Sequence, residues 1–421
     1  MSCAIQGFDE ALAVEDDRFV AYFEGFRLES TFQPIFSHAH HRAIGHEALL
    51  RITDSEGAPI GPLQFLCKQW APTDAVALNA LIARMHVANF RRSEPVDRWL
   101  FLNVDPVDTI RTLQAVEALG QALRDHGISP ESVVIEIVEQ DIPNSGDLLD
   151  IVAAYRELGC LIAIDDFGTG FSNLARMIKF RPDIVKLDRT FVSDTGSDVH
   201  FARCLPLIVN MLHEIGSLVL AEGVENEQHA LTSVRADVDL MQGFYFARPQ
   251  RDIDSDEPER LPQLRDISRL SEQKVHDYES AFHLALQEYQ AAFSTMLVEM
   301  RCGTDLATAA IPILAMERAV HLYVLDTDGL QVGGNVHGAN RQIHARSPHK
   351  PLINGEGAKW AHRPYFRRAR LHRHELQVTR PYLSLTGAFM CVTLSQSTDV
   401  GGREYVVCCD LEYPLSRAGQ N

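Results

Sequence analysis

Between Phe32 and Ala247 short apolar runs alternate with longer stretches of helical periodicity, and almost every apolar run has a charged or amide side chain at or beside its end. The apolar runs expected as strands are 32–36, 45–52, 99–104, 133–138, 161–165, 184–187, 218–221 and 243–247, with helical stretches such as 75–90, 108–126, 146–158 and 199–215 between them. Near-continuous apolar strands alternating with helices make a parallel sheet covered by helices. Eight such strands in about 220 residues favour a closed (β/α)8, TIM-like barrel over an open sheet. Only residues 37–43 separate the first two strands. That is too short for a helical crossover, so the first strand is expected to be antiparallel.

The polar residues follow the strands. Glu47 lies on the second, Asn103 ends the third, and Glu136 and Glu139 lie on and just after the fourth. Asp165 and Asp166 end the fifth, Lys186 and Asp188 the sixth, Glu222 and Glu225 follow the seventh, and Gln242 precedes or begins the eighth. In a parallel barrel these ends converge on the face that carries chemistry. A charge inside an apolar strand is unfavourable unless it is paired or metal-bound, so the set as a whole points to a site. Hard oxygen ligands with one lysine suit Mg2+ or Mn2+, whereas no Cys/His set has zinc spacing. Asp165 and Asp166 are placed to bridge two ions, which at about 3.5–4 Å apart would clamp a phosphodiester. Lys186 can neutralise phosphoryl charge or orient water, and Gly168 and Gly170 allow a φ-positive or flexible loop above the site.

These residues fall in ordered motifs: EALLR at 47–51, DDFGTGFSNL at 165–174, IVKLDRTFV at 184–192, AEGVE at 221–225 and QGF at 242–244. Together they resemble the EAL-domain family of cyclic di-GMP phosphodiesterases, over about Phe32 to Pro249. The resemblance implies a barrel with its first strand reversed, hydrolysing cyclic di-GMP to linear pGpG with two Mg2+ or Mn2+ ions. It implies that Glu47, Asn103, Glu136 and Asp165 hold one ion, and that Asp165 and Asp166, helped by Glu222, hold the second. Lys186 would assist the attacking water, with Glu222 an alternative base. Glu139 would anchor loop 167–172, while Gln33, Arg51, Asp188 and Gln242 would place substrate or water. Val138, Phe171 and Asn173 depart from the usual residues, and none is an implied metal ligand. A receptor that binds cyclic di-GMP without cutting it is the alternative, although such relatives usually lack ligands that this sequence keeps.

The 421 residues, 46% hydrophobic and 23% charged, suffice for two or three domains. A formal net charge of -18 argues against a nucleic-acid polymer or an anionic membrane as partner. The N-terminal residues lack signal-peptide character and the apolar run 205–220 is interrupted by polar residues, so a cytoplasmic protein is expected. The eight cysteines form no CxxC pair and read as buried thiols.

The expected organisation is a phosphodiesterase barrel at 1–255, a helical connector at 256–303 and an α+β regulatory domain at 304–421. The Gly-free stretch 261–301 carries apolar residues at helical spacing from Leu270 to Met300. That stripe must be covered by the chain itself or by a second copy, and a homodimer is expected. Trp360–Phe366, Pro381–Ser384 and Thr393–Ser395 resemble parts of PAS/Cache-like sensory domains. That resemblance implies an unknown small-molecule or protein signal, with Trp360, Arg363, Tyr365 and Tyr382 as candidate pocket residues. His38, His40, His41 and His46 read as a solvated hairpin before a metal site. The basic cluster from Arg363 to His374 reads as a solvated helix face before an anion site.

Overall fold

The computed structural model describes residues 11–66, 68, 70–93, 97–104, 109–138, 145–168, 174–193, 199–253, 262–338, 355–386 and 390–413. The chain divides into two compact units, Met1–Val275 and His276–Asn421.

The first unit has strands β1 (Leu12–Glu15), β2 (Arg18–Phe23), β3 (Phe26–Ser37), β4 (Arg42–Thr53), β5 (Pro59–Ile60), β6 (Trp99–Val104), β7 (Val133–Val138), β8 (Leu161–Phe167), β9 (Ile184–Leu187), β10 (Leu218–Ala221) and β11 (Leu240–Met241). Eight of them close a barrel in the order β3-β11-β10-β9-β8-β7-β6-β4, with β3 pairing β4 to seal it. β3 runs antiparallel to both neighbours, and the other barrel pairs are parallel. The reversed first strand follows from the tight β3–β4 connection, which leaves no room for a crossover helix.

Alternate residues of a strand face opposite ways, so the barrel has two apolar layers. Ile35, Phe101, Val134, Ala163, Ile184, Leu220 and Leu240, one from each of seven strands, form a plug inside the barrel. Gly45 holds the eighth place, because a Cβ there would sit 2.7 Å from the Phe101 ring, which fills the space. Outward residues such as Leu100, Ile135, Ile162, Val185 and Val219 pack on the surrounding helices.

Two features depart from the sequence expectation. The eighth strand is Leu240–Met241, and residues 243–247 form a turn instead. Gly243 is pressed so close to Val224 that a Cβ would lie 2.1 Å from its carbonyl oxygen, while Tyr245 N–H donates to that same oxygen at 3.0 Å. This packing bends an apolar run that otherwise reads as a strand. The hairpin β1–β2 was not anticipated; it extends the sheet beside β3.

The second unit is an antiparallel sheet of β12 (Ala319–Leu325), β13 (Gln331–His337), β14 (Gln377–Val378), β15 (Tyr382–Leu383), β16 (Met390–Val400) and β17 (Arg403–Glu412). The order is β13-β12-β17-β16-β14, with β15 also on β16. One face, with Leu322, Leu394, Val407 and Cys409, packs on Leu286, Tyr289, Phe293, Met296, Leu297 and Met300 of the helix Pro262–Arg301. The other face, with Tyr323, Val406 and Cys408, is covered by Tyr365, Phe366 and Ala369 of the helix Pro364–Leu371. The part of the predicted apolar stripe from Leu286 to Met300 is thus covered by the chain's own sheet, and the Val275 and Phe282 side chains lie outside the described residues. Leu264 and Ile267 belong to the first unit and are buried in its core. The six described cysteines are free thiols, four of them buried. Among the described residues no helix is long and apolar enough to cross a membrane.

Candidate active site

Two residues beyond the apolar plug, each strand places its next inward side chain. From Gly45, Phe101, Val134, Ala163, Ile184, Leu220 and Leu240 that step reaches Glu47, Asn103, Glu136, Asp165, Lys186, Glu222 and Gln242. From Ile35 on the reversed β3 it runs backwards to Gln33. The polar layer is therefore the period of two applied to eight strands. The register agrees: Gln33 pairs with Glu47, and Asn103 with Glu136.

Lys186 is the centre of this layer. Its Nζ lies 2.7 Å from Glu136 Oε1 and from Glu222 Oε1, 3.1 Å from Asp165 Oδ1 and 3.9 Å from Glu47 Oε1. The lysine side chain is 1% exposed. Burial alone would lower its pKa, but Glu136 and Glu222 hold the ammonium well above its ordinary value. The acids respond differently. Burial, reinforced by the Glu47 charge, pushes Glu136 well above the usual carboxylate range. Burial pushes Glu222 up to about 8. Burial also opposes ionisation of Glu47, yet Lys186 and the Gln242 and Asn103 amides outweigh it and hold Glu47 below its usual value. Asn103 donates to Glu47 Oε1 at 2.8 Å, and Gln242 Nε2 donates to Glu47 Oε2 at 2.7 Å and to Gln33 Oε1 at 3.2 Å. Gln33 in turn donates to the Ala247 carbonyl at 3.2 Å.

The Asp pair is set by a β-bulge. Pairing of β8 with β9 slips between Ile164 and Phe167, and Asp166 takes a left-handed φ of 56°. Adjacent strand residues ordinarily point to opposite faces, and a bulge with a left-handed residue re-aims one of them. Here carboxylate oxygens of Asp165, Asp166 and Glu222 lie within 4.8 Å of one another. Burial, then the Asp165 and Asp188 charges, raise the pKa of Asp166.

This donor set fits hard divalent cations. Among the described residues neither buried Glu136 oxygen has hydrogen-bond geometry to a donor, despite the 2.7 Å approach of Lys186. One ammonium faces four carboxylates, and burial relieves the excess only by raising two acid pKa values. Oxygen ligands without cysteine or histidine select Mg2+-, Mn2+- or Ca2+-like ions. Among the described residues the group placed to hold an ion is Asp165, Asp166 and Glu222. The histidine turn forms no such group: His40 bonds Ser37, His41 bonds Ser268, and His46 is buried in β4.

Other predicted residues lie further out. Arg51 shares the Glu47 face of β4 two steps on, is exposed, and donates to the Leu50 carbonyl. Asp188 follows β9 and accepts from Thr190 N–H at 2.9 Å. Gly168 has φ +105°, and a Cβ there would lie 2.0 Å from the Phe191 ring. Glu139, Gly170 and most of the loop 167–172 lie outside the described residues. The bulge was not visible in the sequence. The two-residue offset from plug to polar layer was, through the spacing Phe101–Asn103, Val134–Glu136, Ile184–Lys186 and Leu220–Glu222.

The cyclic di-GMP phosphodiesterase PdeF of Escherichia coli is 28% identical over 214 residues, which cover 50% of this chain and 28% of that protein. The cyclic di-GMP phosphodiesterase RocR of Pseudomonas aeruginosa is 30% identical over 151 residues, 36% of this chain and 38% of that protein. The chain thus spans less than half the length of these relatives. The solved structure of the Bacillus subtilis YkuI protein, with an EAL domain and in complex with substrate c-di-GMP and calcium, matches at a TM-score of 0.76 and 22% identity. The match covers 92% of this chain and 96% of that one, a likeness of fold. The EAL domain profile itself matches residues 18–249, more than half of the chain. The protein belongs to the EAL-domain family.

Proposed function

We propose that this chain is a metal-dependent phosphodiesterase that hydrolyses cyclic di-GMP to linear pGpG. The observation that carries this reading is the buried layer of hard oxygen donors gathered around Lys186. The relatives named as cyclic di-GMP phosphodiesterases agree with it. Glu47, Asn103, Glu136 and Asp165 would hold one Mg2+ or Mn2+, and Asp165, Asp166 and Glu222 a second. Bound there, two such ions supply Lewis acidity toward a phosphodiester and lower the pKa of a coordinated water. Lys186, kept protonated by its carboxylates, offers positive charge and N–H donors to the attacked phosphate and its water. Glu222, 2.7 Å from Lys186, is the alternative proton acceptor. Gln33, Gln242, Arg51 and Asp188 orient substrate or water at the rim, and Glu139 anchors the loop that follows Asp166.

The remaining parts of the reading concern assembly. Residues 304–421 are proposed as a PAS/Cache-like regulatory domain responding to a small-molecule or protein signal, joined to the barrel domain at 1–255 through 256–303, in a cytoplasmic homodimer. Leu284, Ala291 and Val298 support the dimer: they recur every seven residues on the long helix and stay exposed. A monomer in sedimentation at tens of micromolar would remove that part.

Turnover of cyclic di-GMP by the full chain in Mn2+ or Mg2+, with Glu47→Ala as comparison, tests the activity. Glu47→Ala is expected to fold, to bind metal more weakly and to lose turnover. Full activity of that variant would overturn the assignment. Binding without turnover in the unmodified protein would install the receptor reading instead.

A further inference from the structure

The net charge of -18 argues against an anionic partner for the chain as a whole, yet the excess resides entirely in the first unit. Residues 1–275 carry 43 acidic and 25 basic side chains, whereas residues 276–421 carry 14 of each. Within the second unit the basic residues are concentrated, with six arginines and one glutamate between residues 363 and 380. We propose that the outward face of the helix Pro364–Leu371 docks on an anionic lipid surface.

The helix decides which of these arginines face outward. Tyr365, Phe366 and Ala369 form its buried side, packed on the sheet. Arg367, Arg368 and Leu371 are exposed, and Leu371, four and three residues beyond the two arginines, adjoins both on the helix surface. Glu404 takes up the other two arginines of this region, Arg370 at 2.6 Å and Arg373 at 3.1 Å. Arg367 and Arg368 have no such acid among the described residues. Leu371 is 77% exposed, more than any other large apolar side chain among the described residues.

The two kinds of side chain ask different things of a partner. The arginines call for fixed negative charge, and the leucine calls for an apolar medium directly beneath that charge. A nucleic acid supplies phosphates but no apolar layer behind them. An anionic bilayer supplies both, because its headgroups overlie acyl chains by only a few ångströms. The outer side of a helix is also convex, which suits a deformable layer. Charges more than about 8 Å away are largely screened at physiological salt, so the local excess of arginine governs the contact.

Sedimentation of the full chain with vesicles tests this, using phosphatidylglycerol and phosphatidylcholine in equal parts against phosphatidylcholine alone. Binding to the anionic vesicles only is expected at low salt, with loss of binding toward about 0.5 M salt. The double substitution Arg367→Gln with Arg368→Gln should weaken partitioning about 25-fold, from about fivefold for each charge removed near the surface. Leu371→Ser should weaken it several-fold and leave the salt dependence unchanged. Should the double variant melt early, either single arginine substitution serves, with a loss of about fivefold required. The proposal fails if the anionic vesicles are not bound, if phosphatidylcholine alone is bound as well, or if a folded double variant or Leu371→Ser binds unchanged. It also fails if mixed-sequence duplex DNA is bound through the same arginines more tightly than the vesicles, since the face would then be a nucleic-acid surface.

Discussion

Replacing Lys186 with methionine keeps the volume and removes the cation that the described residues place among Glu47, Glu136, Asp165 and Glu222. Breaking a buried ion pair from one side costs about 3–5 kcal/mol. Two features of the site place the expected loss near the lower end. Glu136 and Glu222 already favour the protonated form, so part of the stranded charge can be discharged by proton uptake. Against that, Glu136 has no other donor among the described residues. A loss of about 3 kcal/mol corresponds to a fall of about 6–12 °C in melting temperature for a unit of this size. Divalent cations neutralise the same carboxylates, so they should stabilise Lys186→Met more than the unmodified protein. The assay is urea and thermal unfolding of both proteins in EDTA and in Mn2+, followed by turnover. Turnover of the variant should fall at least about 100-fold, the scale for losing one preorganised charge at a transition state. A variant within about 1 kcal/mol of the unmodified protein in EDTA would refute the reasoning, because a buried cation shared by four acids could not then be removed so cheaply. A gap that widens in Mn2+ would refute the metal part alone.

Gly168→Ala forces a Cβ into the Phe191 ring at a φ of +105°; about 1–3 kcal/mol of strain and reduced turnover are expected, and adding Phe191→Ala should recover part of the stability. Unchanged melting of the single variant would show that the turn has room. Buried His86, beside Ser30 at 2.8 Å, has its pKa lowered to about 4 by burial. The folded protein therefore refuses a proton that the unfolded chain accepts, and stability present above pH 6.5 is lost as pH falls toward 4. His86→Gln should remove about 3 kcal/mol of that dependence; an unfolding-energy difference from the unmodified protein that stays flat between pH 7.5 and 4 would contradict it. Glu139→Ala is expected to lower turnover through the loop that follows Asp166, and kinetics equal to the unmodified protein would remove its anchoring role.

Much of the barrel could be read from the chain because its inner strands are buried on both sides. The bounds of β6, β7, β9 and β10 coincide with apolar runs bordered by turn residues. The last strand was misplaced for a specific reason. Residues 243–247 are apolar enough to be a strand, but Gly243 against Val224 forces a turn, and such packing between distant segments leaves no local trace. The hairpin β1–β2 did leave one, the pair Asp16-Asp17 with both φ values positive between two alternating runs, a turn that matches strand twist. At the site, residue identity and spacing marked Glu47, Asn103, Glu136, Lys186 and Glu222. How Asp165 and Asp166 come to face one place was hidden, since a bulge changes direction without changing composition.

That bulge adds Asp166 as one extra residue beside an Asp165 that keeps the inward step of its strand. Substitutions test what each side chain does, but a deletion would test the phase itself. Removing one residue at 165–167 would return β8 to continuous pairing with β9 and could even relieve the left-handed strain at Asp166. It would also leave one inward carboxylate where two now lie near Glu222. The deletion therefore separates two properties that point mutations confound: a barrel that gains regularity and a cluster of acids that no longer meets. In this chain the most regular sheet and the assembled acid cluster are alternative solutions, and the fold has kept the less regular one.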